Sequence, residues 1–243
     1  MPPCRRMQVV PASLVVATIL AGCEAAPITE TPRVGTLEYV SGDGQAGTVG
    51  LLLDQHLIVR LVDQFGTPVA GETVAFEPSP ASVALGATTD PILDVTGSDG
   101  IASAQLRLGT GTGPYRATAT WPGLETGGIS GPVQVVDFDA TAGPAPAAAL
   151  TITAGNNQTA AVNALLPIAL AVRVADAFNN PISGATVTFV IGSGGGQLSA
   201  AEATSNASGI ASTSWTLGPT AGAQSVTAFI PGVAPVTFNA TAN

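Results

Sequence analysis

Apolar positions in this chain recur at every second residue in short runs, and nowhere hold a helical spacing. In Leu57-Ile58-Val59-Arg60-Leu61-Val62-Asp63, the residues Leu57, Val59 and Leu61 share one face at period two, the spacing of a strand half-buried in a sheet. The arrangement returns 113 residues later, where Leu170, Val172 and Val174 alternate with Ala171, Arg173 and Ala175. Positions that stay large and aliphatic in both copies are assigned to the core. The alternate face, Ile58, Arg60 and Val62 with their partners, drifts in size and is expected to meet water.

A tight turn follows each of these strands. Asp63-Gln64-Phe65-Gly66-Thr67-Pro68 is matched by Asp176-Ala177-Phe178-Asn179-Asn180-Pro181. A short carboxylate at the turn start accepts bonds from backbone N–H groups two residues on, and Gly and Asn are the residues that best tolerate a left-handed conformation. A glycine turn and a glutamine open each copy, Gly42 to Gln45 and Gly155 to Gln158. After a variable loop, longer in the first copy, the match resumes at an offset of 109: Asp99-Gly100-Ile101-Ala102 pairs with Ser208-Gly209-Ile210-Ala211. Ala102, Ala104, Leu106 and Leu108 share a face, as do Ala211, Thr213, Trp215 and Leu217. Strands are expected over Tyr115–Trp121 and Gln224–Ile230, and each copy ends on one, Val136–Ala142 and Val236–Ala242. Many short strands with turn signals between them predict an all-β chain of tandem β-sandwiches. The domains are expected over 36–142 and 149–243, joined by a semi-rigid Pro/Ala linker at 143–148.

Composition adds exclusions. The net charge is −9, with no Lys, and removing Arg5 and Arg6 with a signal segment leaves five Arg against sixteen Asp and Glu, a net −11. That balance repels phosphate backbones, so nucleic acid is not an expected partner. Val9–Leu20 is an apolar run of twelve residues behind Arg5 and Arg6, too short for a membrane span and suited to a secretory signal. It ends in Leu20-Ala21-Gly22-Cys23, which resembles the lipobox of bacterial lipoproteins. The resemblance implies cleavage after residue 22 and lipidation of Cys23, with several acyl chains giving stable anchoring. Because Glu24 rather than Asp follows the cysteine, it also implies an outer-membrane address. Residues 23–35 read as a flexible tether, the stretch from Glu24 to Gly35 reaching about 40 Å when extended. Cys4 leaves with the signal, so no intrachain disulfide is expected in the mature protein.

Candidate chemistry is sparse. His56 is the only histidine; it is out of phase with the core face and reads as exposed. No metal site, cofactor or Ser-His-Asp constellation is expected. The glycine runs Gly109–Gly113 and Gly192–Gly196 lack the Lys and helix start of a phosphate cradle and read as loops. Asp137 and Asp139 flank Phe138 on one face and could join Asn156 and Asn157 around a calcium ion at the domain junction, although the reading that fits better is solvated charge. Asp90, Asp94 and Asp99 in the long loop carry the remote alternative of an Asp-dependent hydrolase. Tyr39, Phe65, Tyr115, Trp121, Phe178 and Trp215 fall mostly in core phase or in turns, which leaves few candidates for a binding patch and no assignable ligand-binding residue.

The ordered set Gly-Asp-Gly-Gln, Val-Arg-Leu-Val-Asp, Gly-Thr-Pro-Val-Ala-Gly, Val-Ala-Phe, Asp-Gly-Ile-Ala and Phe-Asp-Ala-Thr-Ala resembles the bacterial immunoglobulin-like domain of the invasin and intimin adhesins. That resemblance covers about residues 36–142 and 149–243, and implies immunoglobulin-like sandwiches forming a rod that displays something else. The chain shows neither the β-barrel of those adhesins nor a lectin-like tip. The expected function is therefore a non-enzymatic, lipid-anchored surface stalk for display or adhesion. Its expected partners are the membrane through Cys23 and a host, matrix or envelope protein or glycan. The alternative is a scaffold facing the periplasm.

Overall fold

The computed structural model describes residues 33–84, 86–87, 90–123 and 129–243. The expected signal segment and most of the tether lie outside the described residues. From Arg33 onward the elements are β1 (Arg33–Ser41), β2 (Gln45–Thr48), β3 (Leu57–Asp63), β4 (Thr73–Pro78), α1 (Pro80–Ala84), β5 (Ile92–Val95), β6 (Ile101–Ala104), β7 (Gly113–Trp121), β8 (Ile129–Ser130) and β9 (Gln134–Gly143). They form two facing sheets, ordered β6-β3-β1-β8 and β2-β9-β7-β4-β5. The second copy comprises β10 (Ala149–Ala154), β11 (Gln158–Ala160), β12 (Leu170–Ala175), β13 (Thr186–Ser193), β14 (Gly196–Leu198), β15 (Glu202–Thr204), β16 (Ile210–Thr213), β17 (Trp215–Leu217), β18 (Gly222–Phe229) and β19 (Val236–Ala242). Its sheets are ordered β10-β12-β16 and β11-β19-β18-β13-β15, with β14 and β17 as a separate pair. The chain is a tandem of β-sandwiches, as the alternation predicts.

The two copies share an irregularity in the sheet that opens each of them. β1 and β3 slip register between Tyr39 and Ser41, and β10 and β12 slip between Ile152 and Ala154. In each, the first residues after the glycine turn run parallel to the last strand, β2 along β9 and β11 along β19. The opening glutamine staples that crossing. Gln45 Nε2 donates to the carbonyls of Gly42 (2.8 Å) and Gln55 (3.0 Å), and its Oε1 accepts the Gln55 N–H. Gln158 repeats the three bonds with Gly155 and Ile168.

Between the sheets lie separate cores. Leu37, Leu57, Val59, Leu61, Val74, Phe76, Trp121 and Phe138 anchor the first; Leu170, Val172, Val174, Val187, Phe189, Trp215 and Phe238 anchor the second. Each fully buried side chain of this size contributes about 1.5–3 kcal/mol by leaving water. The tryptophans differ in setting. Trp121 donates its ring N–H to Glu72 Oε2 at 3.2 Å, whereas the Trp215 ring N–H is buried without a partner.

Two expectations are corrected. The drifting face of β3 and β12 is not freely solvated, because Val62 and Ala175 are buried. The chain folds back there after the turn, and the prolines bridge them as Val62↔Pro68 and Ala175↔Pro181. The long loop of the first copy also holds α1, which the strand-period reading did not anticipate. Ser82 fastens it, its hydroxyl donating to the Arg116 carbonyl at 2.8 Å and accepting the Arg116 N–H at 2.7 Å.

Candidate functional site

The turn after β12 is where the two sandwiches meet. Asp176 is 2% exposed and closes the turn on itself: Oδ1 accepts the N–H groups of Phe178 (2.9 Å) and Asn180 (2.8 Å). Asn179 takes the left-handed conformation that this closure needs, with φ of 66°, and Gly66 has 77° at the matched position. The other carboxylate oxygen faces the linker, accepting the Ala145 N–H (3.0 Å) and the Asn180 side-chain amide (2.9 Å). Burial pushes the Asp176 carboxyl up, but the bonds from Asn180, Ala145 and Phe178 outweigh it, so its pKa lies below the ordinary carboxylate value.

From this turn Asn180 reaches into the first sandwich. Its amide donates to the Thr110 carbonyl at 2.8 Å, and its Oδ1 lies 3.3 Å from the Thr112 N–H. Phe178 settles on the neighbouring turn, where a Cβ on Gly50 would come within 3.3 Å of the ring. The glycine run at 109–113 is thus one half of a joint. Its backbone supplies the pairing groups, the Thr110 carbonyl and the Thr112 N–H, and Tyr115 holds it by donating to the Gly111 carbonyl at 2.8 Å. Burial raises the Tyr115 pKa against the opposing backbone bonds with Gly109 and Gly111. Reading the run as a loop missed its partner. The signal that could have found it is the Asn180 amide, which replaces Thr67 of the first copy.

The other sequence candidates do not assemble a chemical site. Cys23 lies outside the described residues. His56 is exposed. Asp139 pairs with Arg116 at 2.9 Å, and Asp137 lies 4.0 Å from the same guanidinium. The Arg116 bond holds the Asp139 carboxyl below its usual range. Asn156 bonds within its own sandwich, to the N–H groups of Asn157 and Asn239, a role that Asp43 plays for Asp139 in the first copy. The four residues considered for calcium therefore serve separate sandwiches. Asp94 accepts the Ser103 N–H at 2.7 Å and Asp99 the Ile101 N–H at 3.1 Å, so both act in local backbone geometry. Among the described residues, no group of three or more His, Cys, Asp or Glu is gathered to hold a metal. A cleft of about 240 Å³ in the first sandwich is lined mainly by apolar residues, including Leu52, Phe76, Ile92 and Leu106, with Asp90 at its wall. Its described lining residues include no nucleophile–base pair.

Residues 149–242 match the family model described as the bacterial Ig-like domain, group 1. The second sandwich is a bacterial Ig-like domain. No curated protein matches the chain. Among solved structures, the chain is similar to the Escherichia coli adhesin FdeC at 20% identity and a TM-score of 0.50, covering 85% of this chain and 64% of that one. It thus spans somewhat under two thirds of the FdeC structure, and the likeness is one of fold. Weaker matches are to the bacterial integrin-binding protein invasin (24% identity, 86% of this chain and 39% of that one, TM-score 0.38). The D00-D0 domain of intimin also matches (17% identity, 85% and 96%, TM-score 0.39).

Proposed function

We propose that this chain is a non-enzymatic, lipid-anchored cell-envelope protein whose two Ig-like domains form a short surface stalk for display or adhesion. In this reading residues 1–22 are the signal peptide, Cys23 carries the lipid, and 23–35 tether the first domain to the outer membrane. Residues 36–142 and 149–243 are the domains and 143–148 the linker. The observation that carries the reading is the joint. Asp176 takes hold of the linker at Ala145 while Asn180 and Phe178 grip the end of the first sandwich. Surface that a ligand site between domains would leave open is consumed in holding the domains together. The Ig-like family of the second sandwich and the fold shared with FdeC support an envelope setting. Asp94 and Asp99 are engaged by backbone N–H groups, which speaks against the hydrolase alternative.

A scaffold facing the periplasm would use the same stalk on the other side of the membrane. Antibody binding to intact and to permeabilised cells separates the two. Signal on intact cells is the expected result. Signal only after permeabilisation would remove the adhesion reading and leave the scaffold. Amine-reactive labels are unsuited, because the chain has no Lys.

A further inference from the structure

The first sandwich carries an apolar surplus at the pole where the chain enters it. The start of β1 and end of β3, the start of β4 and end of β5, and the end of β7 and start of β9 all meet there, as the pairs Gly35↔Asp63, Thr73↔Val95 and Trp121↔Gln134 show. Around this pole Phe65 is 78% exposed, Leu93 62%, Val133 59%, and Val95 and Val135 55% each. On the outer face of the β4–β5 sheet, Leu93, Ala75, Thr120 and Val135 run in register across four strands, without a charge. Among the described residues, the charges on that face are Glu77, Arg116, Asp137 and Asp139, farther along toward the linker end, and Asp99 is exposed in the turn that joins β5 to β6 at the pole. One face is thus apolar at the entry end and charged at the other.

The second sandwich shows that the fold does not require this. In the places of Leu93 and Val95 it has Glu202 and Thr204, which pair with Thr188 and Thr186 as Leu93 and Val95 pair with Ala75 and Thr73. Its counterpart of Phe65 is Phe178, which is engaged in the joint. With Cys23 as the anchored amino terminus, the tether preceding the pole is short. Residues 24–32, nine in all, separate Cys23 from Arg33, about 30 Å at full extension.

We propose that this pole and the adjoining half of the outer sheet face rest on the lipid bilayer, with Phe65, Leu93, Val95 and Val133 seated at the boundary between headgroups and acyl chains. The proposal rests on the lipid anchor at Cys23. A second copy docking head to tail is the competing occupant, and the joint argues against it. Phe178 packs on the bare backbone of Gly50, where a Cβ would stand 3.3 Å from the ring and crowd it, whereas the matched turn of the second sandwich has Asn163, also at positive φ (59° against 75°) and carrying a side chain.

The test uses the mature, lipid-bearing protein in phosphatidylethanolamine–phosphatidylglycerol vesicles. Cys4 leaves with the signal and the Cys23 thiol is alkylated, so a cysteine introduced by Phe65→Cys, Leu93→Cys, Val133→Cys or Val190→Cys is the only free thiol for a nitroxide label. Val190, on the second sandwich and 48% exposed, is the aqueous reference. At 65, 93 and 133 the label is expected to gain collisions with oxygen and lose collisions with a water-soluble nickel chelate, while 190 stays aqueous. Vesicle-bound protein with labels at 65, 93 and 133 as aqueous as at 190 would overturn the proposal and leave the anchor standing. Shielding from both reagents with dipolar broadening between labels would assign the face to a second copy, and overturn it too. Protein that fails to float with vesicles and has an unmodified Cys23 would instead remove the anchor, and the proposal with it.

Discussion

Replacing Asp176 with alanine removes one acceptor from four donors. Two are the N–H groups of Phe178 and Asn180 inside the turn, and two are the Ala145 N–H and the Asn180 side chain at the joint. A hydrogen bond to a charged group contributes about 1.5–3 kcal/mol, and a buried donor left unpaired costs about 1–3 kcal/mol. The four bonds share one anion and are not additive, and the Ala145 N–H regains water once the linker lifts. We therefore expect Asp176→Ala to destabilise the second sandwich by about 3–4 kcal/mol, a fall in its melting point of roughly 15–25 °C for a domain of this size. Urea unfolding followed by tryptophan fluorescence measures this, in a Trp121→Phe background so that only the buried Trp215 reports. The sign with pH follows from the depressed pKa. The stabilisation is fully present above the ordinary carboxylate value near 3.9 and is lost as pH falls through the lower folded value. Wild-type protein should lose stability in a step below about pH 4 that Asp176→Ala lacks. A variant within about 0.5 kcal/mol of wild type, within the ±0.5 kcal/mol expected of an ordinary surface change, with the same acid step, would refute the claim that this carboxylate holds the turn.

Asn180→Ala should leave both sandwiches folded while loosening the joint. A broadened interdomain distance distribution in small-angle X-ray scattering and faster proteolysis within 143–148 are expected, and an unchanged profile would count against the joint. Gly209 and Gly184 both have positive φ (76° and 79°), but a Cβ on Gly209 would stand 2.5 Å from the Val174 carbonyl oxygen while that on Gly184 meets nothing within 4 Å. Gly209→Ala should thus lower the denaturation midpoint well beyond Gly184→Ala, whose cost is about 1 kcal/mol of backbone strain. Trp121→Phe should cost about 1–2 kcal/mol more than Trp215→Phe in calorimetry, because only Trp121 gives up a buried bond, to Glu72.

How far the sequence could be read depends on how local each determinant is. Leu57, Val59 and Leu61 announce their face by alternation alone, and Asp176 and Asn179 announce a turn because a short carboxylate and a left-handed residue satisfy needs within six residues. The burial of Val62 and Ala175 depended on prolines folding back over the strand, a contact that alternation within one strand cannot report. The joint was illegible for a related reason. Asn180 and Thr110 are 70 residues apart, and a glycine run gives no sign of what its bare backbone pairs with. The calcium alternative at the domain junction failed for the opposite reason. Asp137, Asp139, Asn156 and Asn157 looked like oxygen ligands by type, yet Arg116 and local N–H groups had first claim on them.

Lipidation at Cys23 is what would anchor the proposed stalk to the membrane. Intact mass spectrometry of the mature protein purified from membranes tests it most directly. The expected species begins at Cys23 and carries a diacylglyceryl group on the sulfur and an acyl chain on the new amino terminus, and a Cys23→Ala variant loses all three chains and leaves the membrane fraction. A mature chain with an unmodified Cys23, or one that begins elsewhere and still sediments with membranes, would contradict the lipid-anchored stalk.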